Sequence, residues 1–353
     1  MTLRRKRVEF FGVLGTRQVV VIALILVAVL FFLPVLIISG QPLYQGKDQE
    51  ESSGETEATL PIDRVAPTMA SRDKGRVVRL QQTDGTIVEL TMADYLWGVV
   101  AAEMPATFEE EALKAQACAA RTYTVIQQNA ATKKHPGADI CGDSTCCQAY
   151  VDRVAAETRW GLNAEAYGEK ITQAIAETDG LGILYQGKPI QALFFSSAAG
   201  KTVDAVEVWG NSVDYLKSVD SLEGEEVPNY HTQVVLTTQQ VKEAVQAAYP
   251  GADLSGDPSG WFGAANQNEG GTVSSILVGG VTLTGSQVRT LFSLRSATFT
   301  VAFEGGNFTF SVTGYGHGVG MSQYGANAMA KEGKTAQEIL TWYYSGTEVA
   351  QLW

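Results

Sequence analysis

One carboxylate and one cysteine-rich loop hold the side chains best suited to chemistry. Glu103 stands in the run Val99-Val100-Ala101-Ala102-Glu103-Met104-Pro105, with apolar residues on both sides. Removing water from around a carboxylate disfavours its charged form, so its pKa should rise. The residue also falls near the end of a helical pattern, where the partial negative charge of the last carbonyls pushes the same way. A carboxyl kept protonated in this manner is a proton donor. The bland alternative is a solvated glutamate that closes a helix. Further on, His135, Cys141, Cys146 and Cys147 bring three of the four cysteines and one of the three histidines within 13 positions. Zinc takes four ligands of these types in closed structural sites. The spacing follows no familiar finger pattern, and outside the cell a disulfide such as Cys141 with Cys146 is the rival reading.

Regular elements must position these groups. Val77–Leu80 and Thr86–Thr91 flank an Asp84-Gly85 pair, a strong hairpin signal. The pattern from Met92 predicts a buried helix that stops near Glu103, because Pro105 drives Met104 out of the helical region. A second helix is expected after Thr107, with Thr107 and Glu110 as a capping box, running to about Asn129. Cys118, among alanines in that helix, reads as core packing. Lys114 and Arg121 lie seven apart, on one helix face and roughly 10.5 Å apart along the axis. Glu110, four residues before Lys114, gives that lysine a surface ion-pair partner instead. Helices are further expected over 149–160, 163–178 and 239–249. Hairpins are expected over 181–196 and 296–316, and a glycine-rich turn with two helices at the end. Residues 251–271, rich in Gly, Asn and Asp, read as a surface insertion. Hairpins and helices without regular alternation indicate an α+β fold, a single mixed domain around a substrate groove.

The first 38 residues differ in kind. Val19–Ile38 is an uncharged apolar run of about 20 residues, long enough to cross a bilayer. Basic residues precede it, which predicts a cytoplasmic N-terminus and an extracytoplasmic remainder. The expected organisation is a basic tail over 1–18, an anchor over 19–38, a flexible acidic linker over 39–75 and a folded domain over 76–353. The chain carries −12 overall, and −16 once the local +4 of residues 1–17 is removed. That balance, with no basic stripe, excludes a nucleic-acid binder.

Several long motifs occur together in order: VVAAEMPATFEEEALKAQACAARTY, CQAY, ETDGLGILYQGKPIQALFFSSAAGKT, EVWG, DYLKSV, GYGHGVGMSQYGANAMA and ILTWYY. Together they resemble the stage II sporulation protein D family, which also includes an amidase enhancer, over roughly Arg76 to the C-terminus. Residues 251–271 match nothing in that pattern. The resemblance implies a lytic transglycosylase that cuts between N-acetylmuramic acid and N-acetylglucosamine without water, leaving a 1,6-anhydromuramyl end. It implies a preference for denuded glycan, and action in forespore engulfment in the space between the membranes, with stage II sporulation proteins M and P. Glu103 of the Glu-Met-Pro motif would be the catalytic acid. Lys114 and Arg121 could pair with the lactyl carboxylate of muramic acid. Gln148, Ser196, Ser197, Tyr315, His317, Ser322 and Gln323 are further candidates for sugar contact. Zinc on His135, Cys141, Cys146 and Cys147 would brace the loop without doing chemistry. The competing function is a non-catalytic wall-binding protein that enhances a separate amidase. A zinc peptidase lacks its motif here, and a Ser-His-acid triad lacks its nucleophile turn.

Overall fold

The computed structural model describes residues 71–353, Leu222 excepted. The expected anchor at Val19–Ile38 and residues 39–70 of the expected linker lie outside the described residues, whereas residues 71–75 belong to the fold: Asp73–Gly75 forms a short 3-10 turn and Asp73 is buried against Arg121. Among the described residues no helix is long and apolar enough to cross a membrane.

Two hydrophobic cores organise the fold. The first draws on residues from Val78 to Leu216 and from Val319 to Tyr344; the second draws only on Val241 to Val312. A contiguous stretch of chain therefore builds its own core between two segments that share another. Small sheets and helices mix in both lobes, an α+β architecture.

In the first lobe the expected hairpin forms, Val77–Gln81 pairing antiparallel with Ile87–Thr91. Helix α1, Met92–Glu103, follows directly, and the Thr91 hydroxyl caps it by accepting from Asp94 N at 3.1 Å. Its first ten residues are almost all buried, so burial rather than amphipathic patterning holds it. It ends as expected, with Met104 extended at φ −122° ahead of Pro105. Helix α2, Glu110–Asn129, is the axis of this lobe. Ala112, Ala115, Ala117, Ala119 and Ala120 are fully buried there, and their small side chains let neighbouring helices approach closely.

The capping box expected at Thr107 and Glu110 does not form. Glu109 occupies the cap position without a side-chain bond, and Glu111 instead accepts from Ala336 N at 2.6 Å across the lobe. Helix α3 is Arg153–Trp160, four residues shorter than expected, because Asp152 caps it at Ala155 N. Residues 149–152 are left non-helical, and that matters for Glu103. Helix α4, Ala164–Glu177, completes the layer on α1 and α2. The hairpin expected over 181–196 forms only next to its turn: Leu181–Tyr185 pairs with the two-residue strand Lys188–Pro189 and also with Glu348–Gln351, while Phe194–Phe195 pairs elsewhere. Helix α5 is the short Ala205–Trp209.

The second lobe opens with the strand His231–Thr237 and helix α6, Thr238–Ala248. Residues 251–271 are no mere surface insertion. Trp261 is buried in the lobe core, and Phe262–Gln267 is the edge strand of a sheet with Val273–Val278 and Val281–Leu283. Helix α7, Gly285–Leu291, follows under a complete capping box at Thr284 and Gln287. The expected hairpin Phe299–Glu304 with Asn307–Thr313 then pairs back onto His231–Thr237. The chain returns to the first lobe through a glycine-rich turn, then α8, Gln323–Lys331, and α9, Ala336–Tyr343. At Gly320, with φ +81°, a Cβ would stand 2.1 Å from the Leu193 carbonyl. Only glycine lets this turn close on strand Phe194–Phe195, which pairs with Met321–Ser322.

Candidate active site

Glu103 is the last residue of α1, at a cleft between the lobes. The cleft is about 1090 Å³ in volume. From the first lobe it takes Ala102, Glu103, the loop 144–149 and strand residues 192–196. From the second it takes the 289–295 segment. A smaller cavity of about 360 Å³ adjoins it through Ala102, Glu103, Ser196 and Gln323, so open space continues on both sides of the carboxyl. Among the described residues Glu103 is the only carboxylate lining either cavity.

The loop after the cysteines reaches this side chain because of Gly98. A Cβ there would meet the Tyr150 ring at 2.3 Å and the Val151 carbonyl at 2.6 Å. With glycine in place, Val151 N bonds Gly98 O at 3.2 Å and Tyr150 stacks on Tyr95. Ala149 N then donates to Glu103 Oε1 at 2.5 Å, and Gln323 Nε2 donates to Oε2 at 3.4 Å. Burial is the dominant influence and raises the Glu103 pKa, against the two donors, which lower it. No described cation pairs with it. Such a group can give up a proton and still be stabilised, by two donors, as the anion it becomes.

The four expected metal ligands do converge. His135 Nε2 lies 3.3 Å from Cys147 Sγ and 3.6 Å from Cys146 Sγ, and all four ligand atoms fall within 4.8 Å of one another. Ligands at the zinc–sulfur distance on a tetrahedron sit about 3.8 Å apart, so this His-Cys₃ set can hold a metal such as zinc. The cysteines are all free thiols, and no disulfide occurs among the described residues. The Asp143 carbonyl receives Cys146 N and Cys147 N at 3.0 and 2.7 Å, a tight turn that aims both sulfurs one way. Cys147 is two residues from the Ala149 N–H on Glu103, so the cluster anchors one of the acid's two donors.

The candidate sugar contacts divide. Ser196, Tyr315, His317 and Gln323 line the main cleft. Gln148 is in its wall but turned inward, its Nε2 donating to Tyr95 OH at 2.8 Å and Thr124 Oγ1 at 3.0 Å. Ser197 is 2% exposed and pairs through its backbone with Tyr315. Ser322 is buried, capping α8 and donating to Glu223 Oε1 at 2.6 Å. Lys114 and Arg121 lie away from the cleft. Lys114 bonds Glu111 at 2.7 Å and Glu177 at 2.5 Å, not Glu110. Arg121 is fully buried, its Nε 3.0 Å from both Asp73 oxygens and its Nη2 2.6 Å from one of them. Neither cation is free for a substrate, because α2 turns that face inward and against α4. Cys118 is buried, as expected.

His317 accepts from Val319 N at Nδ1 and packs beside Phe195 and Trp209. Burial first, then nearby Arg289, lowers its pKa to about 4, so it is neutral in the cleft wall. The structure adds residues absent from the sequence reading. Arg289 and Arg295 face the cleft from the second lobe. Glu223, 6% exposed, accepts from Ser221, Ser322 and Ala198 N, and so fixes the start of α8, where Gln323 sits. In Thr-Gly-Ser-Gln-Val-Arg the capping box was a readable signal for α7, but not for where its arginine points.

The SpoIID family, described as "Stage II sporulation protein", matches residues 81–185, which include Glu103 and the whole metal cluster. Stage II sporulation protein D of Bacillus subtilis (strain 168) is 34% identical over 340 residues, 95% of this chain and 96% of that protein. The protein of the same name from Bacillus amyloliquefaciens is 35% identical over 75% of this chain and 76% of its own. The amidase enhancer of Bacillus subtilis (strain 168) is 26% identical over 71% of this chain and 40% of its own length. With this identity running over nearly its whole length, the chain belongs to the SpoIID family of stage II sporulation proteins.

Proposed function

We propose that this chain is a membrane-anchored lytic transglycosylase of peptidoglycan, acting on glycan strands from which the stem peptides have been removed. The observation that carries the reading is the lone Glu103 in an open-ended cleft. A hydrolase needs a second carboxylate, as nucleophile or as base for water. A transglycosylase manages with one. Protonated Glu103 gives its proton to the bridging oxygen as the C1–O bond of muramic acid breaks. The resulting carboxylate, held by Ala149 N–H and Gln323, then takes the proton of the sugar's own C6 hydroxyl as O6 bonds to C1. The acid is restored and no water enters the product.

The sign of the pH dependence follows. The reaction begins from protonated Glu103, whose pKa is raised. Cleavage should therefore fall as pH rises through that elevated value. Zinc on His135, Cys141, Cys146 and Cys147 would fill a closed structural site, with no open position for chemistry. Its part would be to hold the loop that presents Ala149. The same reading places Val19–Ile38 in the membrane with the domain outside the cell, working in engulfment with stage II sporulation proteins M and P.

Likeness to the amidase enhancer supports a second reading, a wall-binding protein that activates an amidase without cutting glycan itself. Incubating denuded glycan with the full chain and with Glu103→Gln separates the two. Cleavage by the parent and none by the variant supports the enzyme. No cleavage by either, with amidase stimulation by both, supports the enhancer.

A further inference from the structure

The second lobe closes one wall of the cleft with two arginines that have no ionic work to do inside the protein. Arg289 and Arg295 both line the cleft, and among the described residues neither is paired with a carboxylate. Among the described residues the Arg289 side chain makes a single hydrogen bond, from Nε to the Arg295 carbonyl at 3.2 Å, which leaves both terminal nitrogens unspent. The Arg295 guanidinium lies over the Tyr315 ring, 3.9 Å from its centre, and its buried Nε has no partner. The backbone beneath is well held. Val288 is fully buried in the second core, and Leu294 N bonds Arg289 O at 2.9 Å, after a turn at Ser293 with φ +54°. Both residues are partly buried in the cleft wall, within reach of an anion that enters the cleft, although an otherwise acidic chain has many carboxylates that could have paired with them.

We propose that Arg289 and Arg295 bind a carboxylate carried by the sugar strand, namely the free lactyl carboxylate of a muramic acid residue. The inference rests on the glycan reading above and gives it a source of selectivity. A guanidinium presents paired donors matched to a carboxylate. In a strand that still bears stem peptides the lactyl carboxyl is tied up as an amide and offers no charge there. The two arginines thus favour denuded strands over substituted ones, and over chitin oligomers, which lack the lactyl group. Tyr315 holds Arg295 in place, and neutral His317 beside Arg289 adds no competing charge.

The test measures binding, which needs no turnover. Full-length Glu103→Gln protein is titrated with a denuded glycan oligomer, a stem-peptide-bearing oligomer and a chitin oligomer of equal length. The denuded oligomer should bind at least about tenfold more tightly than the other two, and added salt should erode that margin. Adding Arg289→Gln and Arg295→Gln should abolish the margin while changing chitin affinity by no more than about twofold. Arg295→Lys, which keeps the charge, should retain part of it and keeps the test open if the double variant folds poorly. An unchanged margin in the double variant overturns the proposal, and so does an equal loss for all three ligands. If the parent chain cuts no glycan at all, the transglycosylase reading fails while this binding result still stands or falls by itself. If it cuts denuded and substituted strands equally well, the wall has no selective role.

Discussion

The two lobes solve different problems. The first buries polar and ionic groups: the Asp73–Arg121 pair, Glu223 with its serines, and Gln148 inside the core. The second packs aromatic rings. Phe292 lies 4.9 Å from Phe310, Phe303 lies 4.7 Å from Phe308, and Trp261 stacks on Phe308. It buries almost no polar side chain. Hydrogen-bonded polar interiors fix directions, whereas apolar packing supplies stability without them. The lobe that must aim a carboxyl and a metal loop therefore carries the polar interior. The lobe that supplies only a wall does not.

Substitutions should separate these roles, and the largest effect is expected at the acid. Glu103→Gln should reduce glycan cleavage by about a thousandfold or more, with circular dichroism and melting unchanged. Next come the interiors. Phe310→Ala should destabilise the second lobe by about 3–5 kcal/mol, read by denaturant unfolding, while metal content measured by elemental analysis stays the same. Arg121→Leu strands the buried Asp73 carboxylate and should cost about 3–5 kcal/mol, without the loss of denuded-glycan binding expected from the second-lobe arginines. A loss of metal in the first variant, or of glycan selectivity in the second, would break the division of labour.

Smaller effects sharpen it. The His317 pKa falls from 6.5 to about 4 on folding, so between those values the unfolded chain holds a proton that the folded chain lacks. Stability should therefore decline as pH drops through that window, by at most about 3 kcal/mol, and be level above it. His317→Gln should flatten the decline in urea titrations repeated across the window. The least effect belongs to Lys114→Ala, about 1 kcal/mol or less for a partly exposed pair, with glycan affinity intact.

Local signals were legible where a single residue type decides the geometry. Asp84-Gly85 specified the first hairpin, Pro105 ended α1, and the apolar setting of Glu103 foretold its raised pKa. The His-Cys₃ cluster was legible too, because one histidine and three cysteines rarely gather within so few positions. What could not be read was the third dimension of α2. Lys114 and Arg121 share a helix face, but whether that face meets a cleft or a core depends on Asp73 and Glu177, distant in sequence. The 251–271 segment misled for the opposite reason. Its polar composition is that of an edge strand exposed along nearly its whole length, and only Ala252, Leu254, Trp261 and Phe262 tie the segment to the second core. Arg289 and Arg295 escaped notice because nothing near them in sequence shows that they lack partners.

The central claim concerns one acid and no second carboxylate, and the chemistry of the new strand end tests it most directly. Denuded glycan digested by the full chain and examined by mass spectrometry should show ends lighter by one water than a hydrolysed end, the signature of the 1,6-anhydro ring, and Glu103→Gln should produce none. Ordinary reducing ends from the parent chain, or anhydro ends released undiminished by the variant, would contradict the account.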